Sequence, residues 1–152
     1  MRILAIDPGT TYSAYAVWDG QRLYDKGKVL NAEMKELLDF LSADVCCIEM
    51  IASYGMPVGK EVFETCVFIG RLQERWLAIH KEEANLIFRK EIKIHHCGSM
   101  RAKDGNIRQA LIDRFGIIGT KKEPGLLYGV SNDIWSAVAI ATYYFDTFID
   151  KK

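Results

Sequence analysis

Three acidic residues, Asp7, Glu49 and Asp133, each stand where an apolar run meets a turn or a helix begins. Asp7 closes the run Ile3-Leu4-Ala5-Ile6 and is followed by Pro8 and Gly9, which suit a tight reversal. Glu49 interrupts the almost wholly apolar stretch 45–50 near its end, and Asp133 falls in the first turn of the last apolar stretch. Each acid taken alone could be half of a buried ion pair, because an isolated buried carboxylate is costly. Brought to one sheet edge, the three instead make a cage of hard oxygen ligands suited to two divalent cations, Mg²⁺ or Mn²⁺. Two such ions would clamp a phosphodiester, one activating water and the other stabilising the leaving oxygen.

The elements that must deliver these acids read as an α/β sheet. A first strand ends on Asp7, and strands over 11–18 and 23–30 follow, joined by the hairpin turn Asp19-Gly20. Asn31 caps an expected helix over 32–42, whose Met34, Leu37, Leu38 and Leu41 share one face. The run 45–50 reads as a central strand reached by a crossover. After a glycine- and proline-marked loop over 52–59 comes a long helix over 60–81, apolar at Val62, Phe63, Cys66, Ile69, Leu72 and Trp76, with Val67, Phe68 and Leu77 beside them. That stripe is wider than one core contact needs, so the helix is either deeply buried or offers a second surface such as a dimer interface. A fifth strand is expected over 86–89, a connecting turn over 92–97 and a basic helix over 103–115. A mobile loop over 116–129 and a last helix over 132–149, capped by Ser131, complete the pattern. The fold class is thus α/β, one domain over 1–152: a five-stranded mixed sheet, three antiparallel strands then parallel ones, flanked by helices.

Apolar content of 49% and charged content of 26% fit an ordinary soluble protein. No apolar run approaches the roughly 18 residues of a membrane span, and Met1-Arg2 leads directly into a strand without signal-peptide anatomy, so a cytoplasmic setting is expected. Cys46, Cys47, Cys66 and Cys97 form no CxxC pair, and the first two read as buried strand residues. His95-His96-Cys97 cannot easily converge on one ion, and His80 reads as a helix-surface residue. Formal net charge is zero, which by itself does not favour a nucleic-acid partner. The distribution says more. Residues 1–50 hold 5 basic and 8 acidic side chains, whereas 89–122 hold 9 basic against 3 acidic. That segment is either a set of solvated helix faces or a basic surface for a polyanion held near the carboxylates.

The motifs resemble the RuvC-type Holliday junction resolvases of the ribonuclease H-like superfamily, most closely their phage and prophage branch, over nearly the whole chain. Ile6-Asp7-Pro8-Gly9-Thr10 matches the family's opening motif, and Cys47-Ile48-Glu49 its second. Asn132-Asp133-Ile134-Trp135-Ser136-Ala137 is similar to its closing helix, although Ser136 stands where a second acid is expected. The resemblance implies that Asp7, Glu49 and Asp133 are metal ligands, with Asp7 bridging. It implies active-site lysines near Lys103 and Lys93, Lys103 being the better placed, and a base-stacking aromatic at Tyr54. Arg101, Arg108, Lys121 and Lys122 of the basic segment would add DNA contacts. The implied activity is Mg²⁺-dependent cleavage of four-way or otherwise branched DNA, by a homodimer through helix 60–81. The alternatives are a non-catalytic junction-binding protein, motivated by Ser136, or a nuclease on flaps, forks or RNA–DNA hybrids. The opening motif also looks like the phosphate loop of two-domain sugar-kinase and actin-type ATPases. Those need more than twice this length and further glycine-rich loops, so no nucleotide cofactor is expected.

Overall fold

The computed structural model describes residues 1–150. Five strands form one sheet in the order β3-β2-β1-β4-β5. They are β1 (Ile3–Pro8), β2 (Tyr12–Trp18), β3 (Leu23–Leu30), β4 (Val45–Met50) and β5 (Asn85–Phe88). β1 pairs antiparallel with β2 and β2 with β3, while β1, β4 and β5 run parallel. This is the mixed sheet that the pattern predicts.

Side-chain alternation divides the core into two layers. Ile3, Ala5, Cys47 and Ile87 point to a face covered by α5 (Ile134–Tyr144), whose Ala137, Ala139 and Ala141 are fully buried against it. Alanines at those positions let the helix backbone lie close to the strands. Leu4, Ile6, Cys46 and Ile48 point the other way, against Met34 of α1 (Asn31–Leu37) and Ile69, Leu72 and Trp76 of α2 (Lys60–His80). Covered on both faces, β1 and β4 are apolar throughout until their carboxyl ends. Cys46 and Cys47 are buried, as expected.

Four local expectations are corrected. The stretch read as a turn at 92–97 belongs to a helix, α3 (Arg89–Cys97). The Phe88 N–H donates to the Glu91 carboxylate at 3.1 Å, and Gly98, at φ 73°, ends the helix. Only Ile92 of its residues is buried, so its apolar periodicity is weak. Next, α1 stops at Leu37, and Asn31 does not cap it; its side chain serves the turn after β1 instead. The last helix begins at Ile134 rather than 132, because Asn132 is left-handed at φ 48°. It ends at Tyr144, continuing as a π-helical turn, Phe145–Ile149. Finally, His80 is not a free surface residue: its ring stacks on Trp76 with centroids 3.5 Å apart. The basic helix, α4, spans Asp104–Phe115.

Candidate active site

Strand parity fixes which side chains meet. Asp7 follows Ala5 by two residues, Glu49 follows Cys47 by two, and Arg89, the first residue of α3, follows Ile87 by two. All three continue the face that α5 covers. Since β1, β4 and β5 are parallel, the three stand at one carboxyl edge, where open α/β sheets hold ligands. Asp133 occupies the N-cap position of α5, which packs on β1 and β2 and so carries it to the same edge.

The turn after Asp7 is built for close approach. A Cβ on Gly9 would lie 2.5 Å from the Tyr12 carbonyl oxygen, so glycine is required. Asn31 staples the turn from the start of α1: its amide donates to the Gly9 and Thr10 carbonyls at 2.9 and 3.0 Å, and Ser13 donates to its Oδ1 at 2.7 Å.

Charge is unevenly compensated among the acids. Glu49, largely buried, pairs with Arg89 at 3.1 Å, and the other end of that guanidinium reaches Asp104 at the start of α4. Burial raises the Glu49 pKa, while Arg89 and Lys93 pull it back. Asp133 pairs with Lys28 at 2.8 Å. Register explains that reach: Lys28 lies beside Ala14, and Ala14 beside Asp7, so a lysine on β3 passes over a methyl group toward α5. Asp7 has no ion-pair partner among the described residues. Burial first, then the charges of Glu49 and Asp133, push it up to about 7; Arg89 and a hydrogen bond from Ser136 act against the rise.

The donor set fits a hard divalent cation: a shielded carboxylate without a counter-ion, two further carboxylates at its edge, and a hydroxyl at Ser136. Yet among the described residues no three His, Cys, Asp or Glu side chains close into a metal-binding cluster. Asp133 is engaged by Lys28 and Glu49 by Arg89, so the expected cage is not closed.

Of the remaining candidate residues, some line the clefts at this edge and some do not. Arg108 lines a cleft of about 290 Å³ together with Arg89, Asp104, Asp133 and Ser136. Lys93 is half-buried and close enough to act on the Glu49 charge. Lys103 is exposed at the N-cap position of α4, and Arg101 is exposed just before it. Tyr54, exposed on the loop after β4, shares a smaller cleft of about 260 Å³ with Arg89 and Lys93. Lys121 and Lys122 are exposed on a turn closed by the Gly119–Pro124 bridge and do not line the acid cleft. His95 and His96 are engaged elsewhere, on Asp146 and the Ala139 carbonyl. Sequence reasoning missed Arg89, Lys28 and Asn31 as parts of the site. Only Arg89 had a signal, its place directly after a strand parallel to those bearing Asp7 and Glu49.

Solved structures with this architecture exist. RuvC of Thermus thermophilus superposes with a TM-score of 0.70 at 16% identity, covering 96% of each chain. Its complex with a Holliday junction substrate gives 0.71 at 15% identity, over 95% of this chain and 92% of that one. The chain has the RuvC fold. The yeast mitochondrial Holliday junction resolvase Ydc2 is similar at a TM-score of 0.58 and 13% identity, over 94% of this chain and 78% of its own. No family model matches the chain, and no curated protein matches it by sequence. No helix among the described residues is long and apolar enough to cross a membrane.

Proposed function

We propose that this protein is a metal-dependent endonuclease selective for branched DNA, the four-way junction first among its substrates. The observation that carries the reading is Asp7: a shielded carboxylate without a counter-ion, at the ligand edge of a RuvC fold, flanked by two further acids. Both solved Holliday junction resolvases named above support it through their shared architecture. Asp7, Glu49 and Asp133 would hold Mg²⁺ or Mn²⁺, two ions in the full reading, with Ser136 orienting Asp7. When bound, such ions activate water and stabilise the leaving oxygen of a phosphodiester.

The chain's own residues supply the rest. Arg89 and Lys93 offset the carboxylate charge and offer a positive surface to a phosphate approaching the edge. Arg108 extends that surface along the cleft, with Lys103 and Arg101 beyond it and Lys121 and Lys122 further out. Tyr54, on an open loop beside Lys93, is placed to stack on an unpaired base. Two strands cut symmetrically need two such edges related by a two-fold axis, which supports a homodimer. Helix α2 supports the same reading: one face is buried in the core, while Phe63 and Val67, 62% and 58% exposed, leave an apolar strip facing outward.

The test is cleavage of labelled four-way, three-way, flap, fork, duplex and RNA–DNA hybrid substrates in Mg²⁺ or Mn²⁺ by wild type and Asp7→Asn. Metal-dependent nicking of the four-way junction that Asp7→Asn abolishes is the expected result. Intact nicking by the variant would remove the assignment. A non-catalytic reading draws on Ser136, a neutral group where an acid would complete the ligand set; it predicts tight junction binding without cleavage in either metal.

A further inference from the structure

Beside the acid cleft lies a second groove of about 510 Å³, and the two share Arg108, Asn132 and Trp135. Its walls differ in kind from the cleft. Ile117, Ile118 and the half-buried Trp135 indole supply apolar surface, and no carboxylate lines it. Ser131 and Asn132 stand at its edge with side chains that make no hydrogen bond among the described residues. Arg108 is its one cation. A mostly apolar hollow of this size with a few convergent polar groups is the usual form of a small-ligand site.

The groove is held in shape. The Gly125 N–H donates to the Ile118 carbonyl at 2.9 Å, and a Cβ on Gly125 would collide with the Ile117 carbonyl oxygen. The turn that presents both isoleucines is therefore fixed by backbone contacts, although Ile117 is 74% exposed. Asn132, in its left-handed conformation, sits between the groove and Asp133. Strained backbone of this kind persists where surrounding structure holds it, often beside a functional site.

Resting on the nuclease reading, we propose that this groove receives one nucleobase of the strand whose phosphate lies in the acid cleft. The base stacks on Trp135 between Ile117 and Ile118, and Asn132 and Ser131 hydrogen-bond its edge. The chemistry favours a base over other occupants. The wall residues want a flat, uncharged π-face, Arg108 at the shared rim wants the phosphate joined to it, and asparagine and serine both pair with base edges. The cleft and the groove are continuous, so a strand whose phosphate is at Asp133 has its adjoining nucleoside within reach of Trp135. The groove thus makes cleavage depend on the base beside the cut.

The experiment is an abasic scan. Four-way junctions carry a single abasic residue at each position around the cut, and cleavage and junction binding are measured for the full-length wild type, Ile118→Ser and Asn132→Ala. Both substituted positions are exposed, so folding is not at stake as it would be for Trp135→Ala. Loss of about tenfold in wild-type cleavage at one position beside the cut is expected, the effect of one stacked base. At that position Ile118→Ser should be insensitive to the abasic change, and Asn132→Ala should discriminate less among the four bases. A flat scan with the intact junction still cleaved overturns the groove and leaves the nuclease reading standing. Failure to bind or cleave any junction removes both. A wild-type dip that Ile118→Ser retains in full places the base elsewhere and also overturns the proposal.

Discussion

Asp7 and Asp146 are both shielded carboxylates, and they are electrostatic opposites. Asp146, in the π-helical turn after α5, accepts hydrogen bonds from His95 of α3 at 2.7 Å and from Arg114 of α4 at 2.8 Å. Burial would raise its pKa, but those two partners outweigh it and hold the carboxyl below its usual range. It fastens three helices together. Asp7 has the same burial problem and the reverse solution: its neighbours are acids, and it is pushed up to about 7. Residue type cannot separate a structural acid from a chemical one. The partners can, and here they divide the molecule into an edge whose charges are balanced only in part and a helix junction whose charges are matched.

The strongest way to break that contrast is Asp7→Asn. Junction cleavage should fall by more than the roughly 10–100-fold typical of losing an outer partner of a metal site. Stability should move the other way. Asp7 has a folded pKa of about 7, above its ordinary 3.8, so the folded state prefers its proton. The associated stability is full below about pH 4, is lost as pH rises toward 7, and stays lost above it. At about 1.36 kcal/mol per unit, the charged form costs at most on the order of 4 kcal/mol at pH 8. Melting in EDTA at pH 8 should therefore be several degrees higher for Asp7→Asn than for wild type, with the gap closing near pH 4. An unchanged melting temperature at pH 8 would mean that Asp7 is not an uncompensated charge. Ser136→Asp sharpens the same point. It adds a carboxylate beside Asp7, and the Mg²⁺ concentration giving half-maximal thermal stabilisation should drop about tenfold, as ligand charge count tunes such sites.

Much of this edge was legible in the sequence, for a physical reason. A strand buried on both faces must be apolar, so a carboxylate that ends one, as Asp7 and Glu49 do, announces itself locally. Asp133 was legible too, because it precedes a long apolar helix. The five strands and the mixed sheet followed from hairpin and run-length signals. What the sequence hid were relations set by register. Lys28 is an ordinary β3 lysine until pairing puts it beside Ala14, in line with Asp7 and within reach of Asp133. Arg89 became the partner of Glu49 only when the register of β5 on β4, with a helix starting directly after it, set the two side by side. Helix α3 was missed because a capping contact and a terminal glycine define it rather than an apolar stripe. Asn31 looked like a helix cap and spends its side chain on the Gly9 turn instead, since two carbonyls there were otherwise unserved.

The matched side of the comparison predicts a smaller effect with the opposite pH sign. Asp146 has a depressed folded pKa, so its stability is present above the unfolded value near 4 and is lost as pH falls through the folded one. Asp146→Asn should destabilise the protein by about 1–2 kcal/mol at neutral pH, the range for hydrogen bonds to a charged group. The difference should vanish in acid, and cleavage per folded molecule should stay within about twofold. A large loss of cleavage with the melting temperature intact would break the division between the two regions.

The subtlest effect belongs to Lys28, which straddles it. The pair with Asp133 is exposed on both sides, 39% and 58%, so solvent screening leaves it little weight in stability. Its position matters more than its strength, because the lysine neutralises Asp133 beside the Asp7 carboxylate and feels the Asp7 charge as well. In Lys28→Met, the acids lose that competing cation, and the half-saturating Mg²⁺ concentration in a thermal-shift titration should fall a few-fold with the metal-free melting temperature nearly unchanged. If Lys28 instead serves as a phosphate contact, metal affinity will be unmoved while junction binding weakens and its salt dependence shallows by about one charge. The two readouts separate a residue that tunes the acids from one that meets the DNA.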